Sequence, residues 1–129
     1  LAVARLIFSN FFGRFLGINV VVAHLGGAIP FLSGQLDAGY ANYAECQVAQ
    51  RPPTELIERL YLDTASASSA ALRCAIDTVG SEQVLFGSDT PHVISDVAGA
   101  ISQIEHGVSR RERGRILGDN AAKLFGLTS

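Results

Sequence analysis

The sequence predicts an α/β fold in which strands and helices alternate around a parallel sheet. Three observations carry this prediction. Apolar runs at residues 20–23, 60–63 and 84–86 are short, and each ends at a polar or turn-forming residue: His24, Asp63, and Gly87 ahead of Asp89. The segments between them place apolar residues three and four apart, the spacing of one helix face. Hydrophobic residues make up 48% of the 129 and charged residues 17%, which suits one domain with a buried interior.

The first 16 residues read as one helix, with Val3, Ile7, Phe11 and Phe15 four apart and Leu6, Phe8, Phe12 and Leu16 widening the stripe. Gly17 and Asn19 break it. Val20-Val21-Val22-Ala23 is β-branched or small throughout, as in a strand buried on both faces of a parallel sheet. A helix can begin near residues 28–30, with Pro30 in its first turn, and Gly34 and Gly39 interrupt it, so two pieces ending near Ala49 are expected. Pro52-Pro53 mark a loop, and Thr54 with Glu55 and Glu58 starts a short helix. Leu60-Tyr61-Leu62-Asp63 is the second strand. Residues 66–69, Ser66 among them, supply caps for a helix striped by Ala71, Leu72, Ala75, Ile76 and Val79 and closed by Gly80. After the third strand, Val97, Ile101, Ile104 and Val108 define a helix, and Ser109-Arg110-Arg111-Glu112 is a capping box opening another. Gly118 is expected to end that helix, Asn120 to cap a last turn through Phe125, and Gly126 to stop it.

Composition excludes several classes of function. Net charge is −2, and the only basic run, Arg110, Arg111, Arg113 and Arg115, is interspersed with Glu112 and reads as a solvated helix face, so no nucleic-acid partner is predicted. Cys46 and Cys74 lack CxxC spacing, which predicts a reduced, cytoplasmic protein without a metal knuckle. No apolar run approaches the about 18 residues of a membrane span, so no membrane partner is expected. Methionine is absent and Leu1 lies inside an apolar helical pattern, so the chain is expected to be a piece of a longer protein.

The strand ends hold the candidate chemistry. Asp89 is a hard, acceptor-only group when ionised, suited to a metal ion or a water proton, and equally suited to capping a helix ahead of Pro91. His24 can serve as a ligand, as a general base, or as a strand-end histidine satisfied by a backbone carbonyl. Two such residues at equivalent strand ends point to a shared site. Asp63 reads as a structural acceptor, His92 as a first-turn surface residue that could contact substrate, and His106 has no assigned role. Gly87-Ser88-Asp89-Thr90-Pro91 lacks the second glycine of a nucleophile elbow, and Leu25-Gly26-Gly27-Ala28 is not a dinucleotide-binding loop. Three strands do not complete a parallel sheet. A (β/α)8 barrel of about 250 residues would contain this chain as its second half, and such barrels carry catalytic groups at strand C-termini.

His24-Leu25-Gly26-Gly27-Ala28-Ile29-Pro30, Tyr61-Leu62-Asp63-Thr64, VLFGSDTPH at residues 84–92 and ILGDNAAKLFGL at residues 116–127 together resemble the amidohydrolase-related family of metal-dependent TIM-barrel enzymes. That family includes aminocarboxymuconate-semialdehyde decarboxylase and related aromatic-acid decarboxylases. The resemblance covers essentially the whole chain, read as one partial barrel domain of residues 1–129, and implies that its strands are the sixth, seventh and eighth of the barrel. It implies that Asp89 ligates a divalent metal, zinc or manganese, and orients its water, while His24 acts beside the metal as acid or base. The other ligands, an HxH pair and a further histidine, belong to earlier strands outside this chain. Decarboxylase relatives commonly place an arginine eleven residues after the histidine, reaching a substrate carboxylate across a dimer; here Gln35 stands there, uncharged and without a guanidinium fork. The implied function is the C-terminal part of a metal-dependent hydrolase or decarboxylase of a small organic acid, inactive alone, with Gln35 and His92 as substrate-facing positions and a homodimer as the assembly. The rival is a noncatalytic half-barrel that associates through its open sheet edges.

Overall fold

Parallel pairing of three short strands organises the molecule. In the computed structural model, which describes residues 1–65 and 67–127, strands β1 (Val21–Val22), β2 (Tyr61–Asp63) and β3 (Val84–Leu85) lie in sequence order. Val21 pairs with Tyr61 and Val22 with Leu62; Leu62 pairs in turn with Val84 and Asp63 with Leu85. Because side chains alternate along a strand, Val22, Leu62 and Val84 share one face and Val21, Tyr61 and Asp63 the other. The first face is the core: Leu62 and Val84 are 0% exposed and pack with Ile7, Ile57, Leu72, Ile104 and Ile116. On the second face Val21 is 44% exposed. The first strand is therefore not buried on both sides: Val22 is half-buried and Val21 opens to solvent, whereas on that same face Leu85 of β3 is buried.

The first 16 residues form two helices, not one. Helix α1 (Ala2–Phe8) closes where the Ser9 N–H donates to the Arg5 carbonyl at 2.9 Å, and Asn10 turns into the left-handed region at φ 57° before α2 (Phe11–Arg14). An apolar stripe does not register such a local reversal, which asparagine tolerates better than most residues. Residues 28–32 form turns, and α3 (Ser33–Asn42) begins after Pro30 and runs through Gly34 and Gly39 to break at Tyr43, where the backbone is extended. Its hold on the next segment is polar: Thr54 donates its N–H at 3.0 Å and its hydroxyl at 2.6 Å to the Asp37 carboxylate. A 3-10 segment (Ala44–Ala49) leads to α4 (Pro53–Ile57), whose first helical residue is Pro53, one position before the expected Thr54.

The later helices follow their sequence signals closely. Helix α5 (Ser69–Val79) is capped by the Ser68 hydroxyl, which accepts from Ala71 N–H at 3.2 Å, and ends at Gly80, φ 82°. The Ser66 cap candidate lies outside the described residues. Helix α6 (Val97–Gly107) is capped by Asp96, and α7 (Arg110–Gly114) by the reciprocal Ser109–Glu112 box. Gly118 does not end the helix there. A π-helical turn (Arg115–Asp119) carries the chain into α8 (Asn120–Leu124). Asn120 is accordingly not a cap: it is 8% exposed, and its Nδ2 donates to the Ser81 and Val84 carbonyls, both at 2.7 Å, tying this helix to β3. Arg115 likewise leaves the solvated face, donating to the Ser81 hydroxyl at 3.1 Å and pairing with Glu82.

Candidate active site

Parallel pairing brings the C-terminal ends of all three strands to one edge of the sheet, so His24 and Asp89 follow strands that end on the same side. Those strands are second neighbours, separated by about 10 Å at the usual inter-strand spacing.

His24 opens a run of four residues with positive φ: His24 at 56°, Leu25 at 53°, Gly26 at 76° and Gly27 at 60°. For the first two, which carry a Cβ, this conformation costs about 1–2 kcal/mol each. Local bonds offset it. Gly26 N–H donates to the Ala23 carbonyl at 3.1 Å and Gly27 N–H to the His24 carbonyl at 2.9 Å. Gly26 is required twice over, since a Cβ there would also lie 3.1 Å from Leu62 Cδ2. The His24 ring is exposed, with Nδ1 3.2 Å from the Ala65 carbonyl. A carbonyl oxygen only accepts, so Nδ1 carries the hydrogen; among the described residues no hydrogen bond engages Nε2, whose lone pair can take a proton or a metal.

Asp63 is the structural acceptor its position suggested, and it works across strands. Its Oδ1 accepts the His24 N–H at 2.9 Å and the Ala65 N–H at 3.1 Å. Next to it, Thr64 is 3% exposed, and its hydroxyl accepts from Gly87 N–H at 3.1 Å and donates to the Gly87 carbonyl at 3.2 Å. The central strand end is thus fastened to both neighbours. Sequence reading missed the Thr64 link, whose only trace is a threonine directly after the aspartate that ends a strand.

Asp89 does not cap a helix. It sits in the left-handed region at φ 61°, the residues after it form turns, and the next helix starts only at Val97 with its own cap. Among the described residues, no hydrogen bond engages its half-buried carboxylate: Ser88 donates its hydroxyl to Thr90 Oγ1 at 3.0 Å, and the Asp89 main-chain carbonyl takes the His92 N–H at 2.8 Å. His92 is exposed in that turn, not in the first turn of a helix. Gln35 is exposed on α3, near Leu32 and Leu36, which line a hollow of about 470 Å³ beside His24. A second, smaller hollow of about 290 Å³ is also lined by His24, together with Phe31 and Cys74. Neither is lined by Asp89.

Among the described residues, no group of three His, Cys, Asp or Glu side chains is arranged to hold a metal ion. Catalytic zinc takes three protein ligands, so His24 and Asp89 alone do not make a metal site. Nor, among the described residues, is any helix long and apolar enough to cross a membrane.

A family model described as amidohydrolase matches residues 1–127. The 2-amino-3-carboxymuconate-6-semialdehyde decarboxylase of Dictyostelium discoideum is 28% identical over 130 residues, a match spanning 98% of this chain and 36% of that protein. Among solved structures, a 5-carboxyvanillate decarboxylase from Sphingomonas paucimobilis superposes with a TM-score of 0.87 at 31% identity, over 98% of this chain and 39% of the other. A dihydroxybenzoic acid decarboxylase from a Polaromonas species, solved with bound manganese and the inhibitor 2-nitroresorcinol, gives 0.83 at 25% identity, over 96% and 38%. The chain therefore spans less than two fifths of each of these relatives.

Proposed function

The chain belongs to the amidohydrolase family, and on that premise we propose that it forms the His24 and Asp89 side of the active site of a metal-dependent decarboxylase acting on a small organic acid. One observation carries the reading. Two polar residues at the same end of a parallel sheet are both held in left-handed backbone, one with its carboxylate unengaged among the described residues and the other with its ring Nδ1 already committed. Strain of this kind persists where the surroundings impose it, and it concentrates at functional sites. In this reading β1, β2 and β3 are the sixth, seventh and eighth strands of a (β/α)8 barrel, and residues 1–129 are part of that one domain.

The metal is a divalent ion, zinc or manganese; manganese is favoured by the Polaromonas relative. Bound, it would act as a Lewis acid that polarises substrate or its water. Asp89 supplies one hard oxygen donor, and the remaining ligands lie outside these 129 residues. His24 moves the proton. With Nδ1–H held on the Ala65 carbonyl, the protonated ring has one mobile proton, on Nε2. Delivered to the carbon that bears the carboxylate, that proton allows the C–C bond to break, with CO2 leaving and the bonding pair retained by the substrate. The neutral ring then takes up a proton from solvent.

Gln35 and His92 are the substrate-facing positions, and Gln35 offers a carboxylate hydrogen bonds without charge. Homodimerisation, in a reducing cytoplasm that keeps Cys46 and Cys74 as thiols, completes the proposal. The test is turnover by the intact protein of 5-carboxyvanillate, dihydroxybenzoate and aminocarboxymuconate semialdehyde with manganese or zinc. CO2 release from at least one, abolished by His24→Asn, is expected; no release from any, with metal bound, would reject the decarboxylase. These 129 residues alone are expected to show no turnover and only weak metal binding. A noncatalytic association module is the second reading, favoured by exposed apolar side chains such as Val21 and Phe31, and it predicts assembly without any turnover of the intact protein.

A further inference from the structure

The central strand ends in Asp63, Thr64 and Ala65, and these residues reach both flanking strand ends. One carboxylate oxygen, Asp63 Oδ1, accepts the N–H of His24 at 2.9 Å and that of Ala65 at 3.1 Å. The Ala65 carbonyl, in the same peptide segment, lies 3.2 Å from His24 Nδ1. Gly87, two residues past β3, leaves no room beside the carboxylate: a Cβ built there would sit 2.9 Å from Asp63 Cγ.

We propose that Asp63 is a positioning residue for His24, holding both its backbone and the carbonyl that fixes its tautomer, so that the mobile proton resides on Nε2. The proposal rests on the reading of His24 as the proton carrier. Its logic is a closed loop of contacts. Asp63 pins the His24 main chain, which has positive φ and would otherwise relax, and with the same oxygen pins Ala65, whose carbonyl receives the ring hydrogen. A carbonyl can only accept, so while it stays in place Nδ1 keeps its hydrogen. Remove the carboxylate and both N–H groups lose their acceptor, the 65 carbonyl is free to turn, and neutral His24 redistributes its proton between Nδ1 and Nε2. Asparagine keeps an acceptor oxygen at the same position and should preserve the loop.

The test is nitrogen NMR of the intact protein labelled in its histidines, paired with steady-state kinetics. Wild type and Asp63→Asn should show neutral His24 protonated at Nδ1, and Asp63→Ala a mixture of tautomers. Gly87→Ala, which keeps Asp63 but drives a methyl into its carboxylate, should give the same mixture, and it serves where Asp63→Ala fails to fold. In the kinetics, Asp63→Ala should lower kcat at least tenfold with KM within threefold, and Asp63→Asn should stay within threefold of wild type. An unchanged tautomer in both Asp63→Ala and Gly87→Ala overturns the proposal, as does a changed tautomer with undiminished kcat. If the intact protein turns over none of the acids tried, the decarboxylase reading fails by itself, and a tautomer shift in Asp63→Ala still supports the positioning contact.

Discussion

Replacing Asn120 by leucine should cost the fold about 2–4 kcal/mol. Asn120 is buried and donates to the Ser81 and Val84 carbonyls at 2.7 Å each, and leucine keeps its bulk but removes both donors. Each buried polar group left unsatisfied costs about 1–3 kcal/mol, and the added apolar burial returns some of the sum. For a domain of this size 1 kcal/mol corresponds to roughly 3–5 °C in Tm, so a fall of about 10 °C is expected. Asn120→Asp is the sharper variant. At neutral pH it points carboxylate oxygens at two carbonyl oxygens, so it should destabilise more than leucine, and acid, which restores one O–H donor, should narrow the difference. Urea unfolding followed by circular dichroism measures both. A loss under 0.5 kcal/mol for Asn120→Leu would refute the view that this side chain fastens the last helices to the sheet.

Three further outcomes follow from the packing and the caps. Leu62→Ala, on the central strand and fully buried, should cost about 2–5 kcal/mol in the same urea assay, the range for large-to-small changes in a core. Gly26→Ala should cost about 1–2 kcal/mol, because its φ of 76° is unfavourable for alanine and the new methyl meets Leu62, and a melting temperature equal to wild type would contradict this. Hydrogen bonds from the Ser109 hydroxyl and main-chain N–H hold the Glu112 carboxyl below its usual range, with Arg73 adding to the effect and partial burial opposing it. A carboxylate lowered in the folded state stabilises it above the ordinary value of about 4.3 and loses that contribution as pH falls through the lower folded value. Glu112→Gln should therefore destabilise the fold at pH 7, with the gap from wild type closing as pH falls below the ordinary carboxylate range, in stability measured against pH.

Local signals were legible in the sequence wherever the local chain decides the outcome. The stripe and caps of the 69–79 helix, the Ser109–Glu112 box and the three strands appear within a residue or two of their expected places, because periodicity and capping act over a few residues. Two departures share a cause. Asn120 resembles a cap and instead reaches 36 and 39 residues back to two carbonyls, and Gly118 resembles a stop in a helix that a tertiary contact carries onward. Asp89 before Pro91 has every local mark of a cap, yet no helix starts there. For His24, the Nε2 lone pair depends on a carbonyl 41 residues away, which no local pattern encodes. That His24 and Asp89 follow strands ending on the same side was legible, because parallel βαβ topology sends all strand ends there.

The central claim, that Asp89 holds a divalent metal while His24 moves a proton beside it, is tested most directly by manganese content and kcat measured together on the intact protein. Asp89→Asn should lose most of its metal along with its activity, whereas His24→Asn should keep the metal and lose kcat by about 10²–10⁴, the usual contribution of a general acid–base. Full metal occupancy and unimpaired turnover in Asp89→Asn would contradict the account.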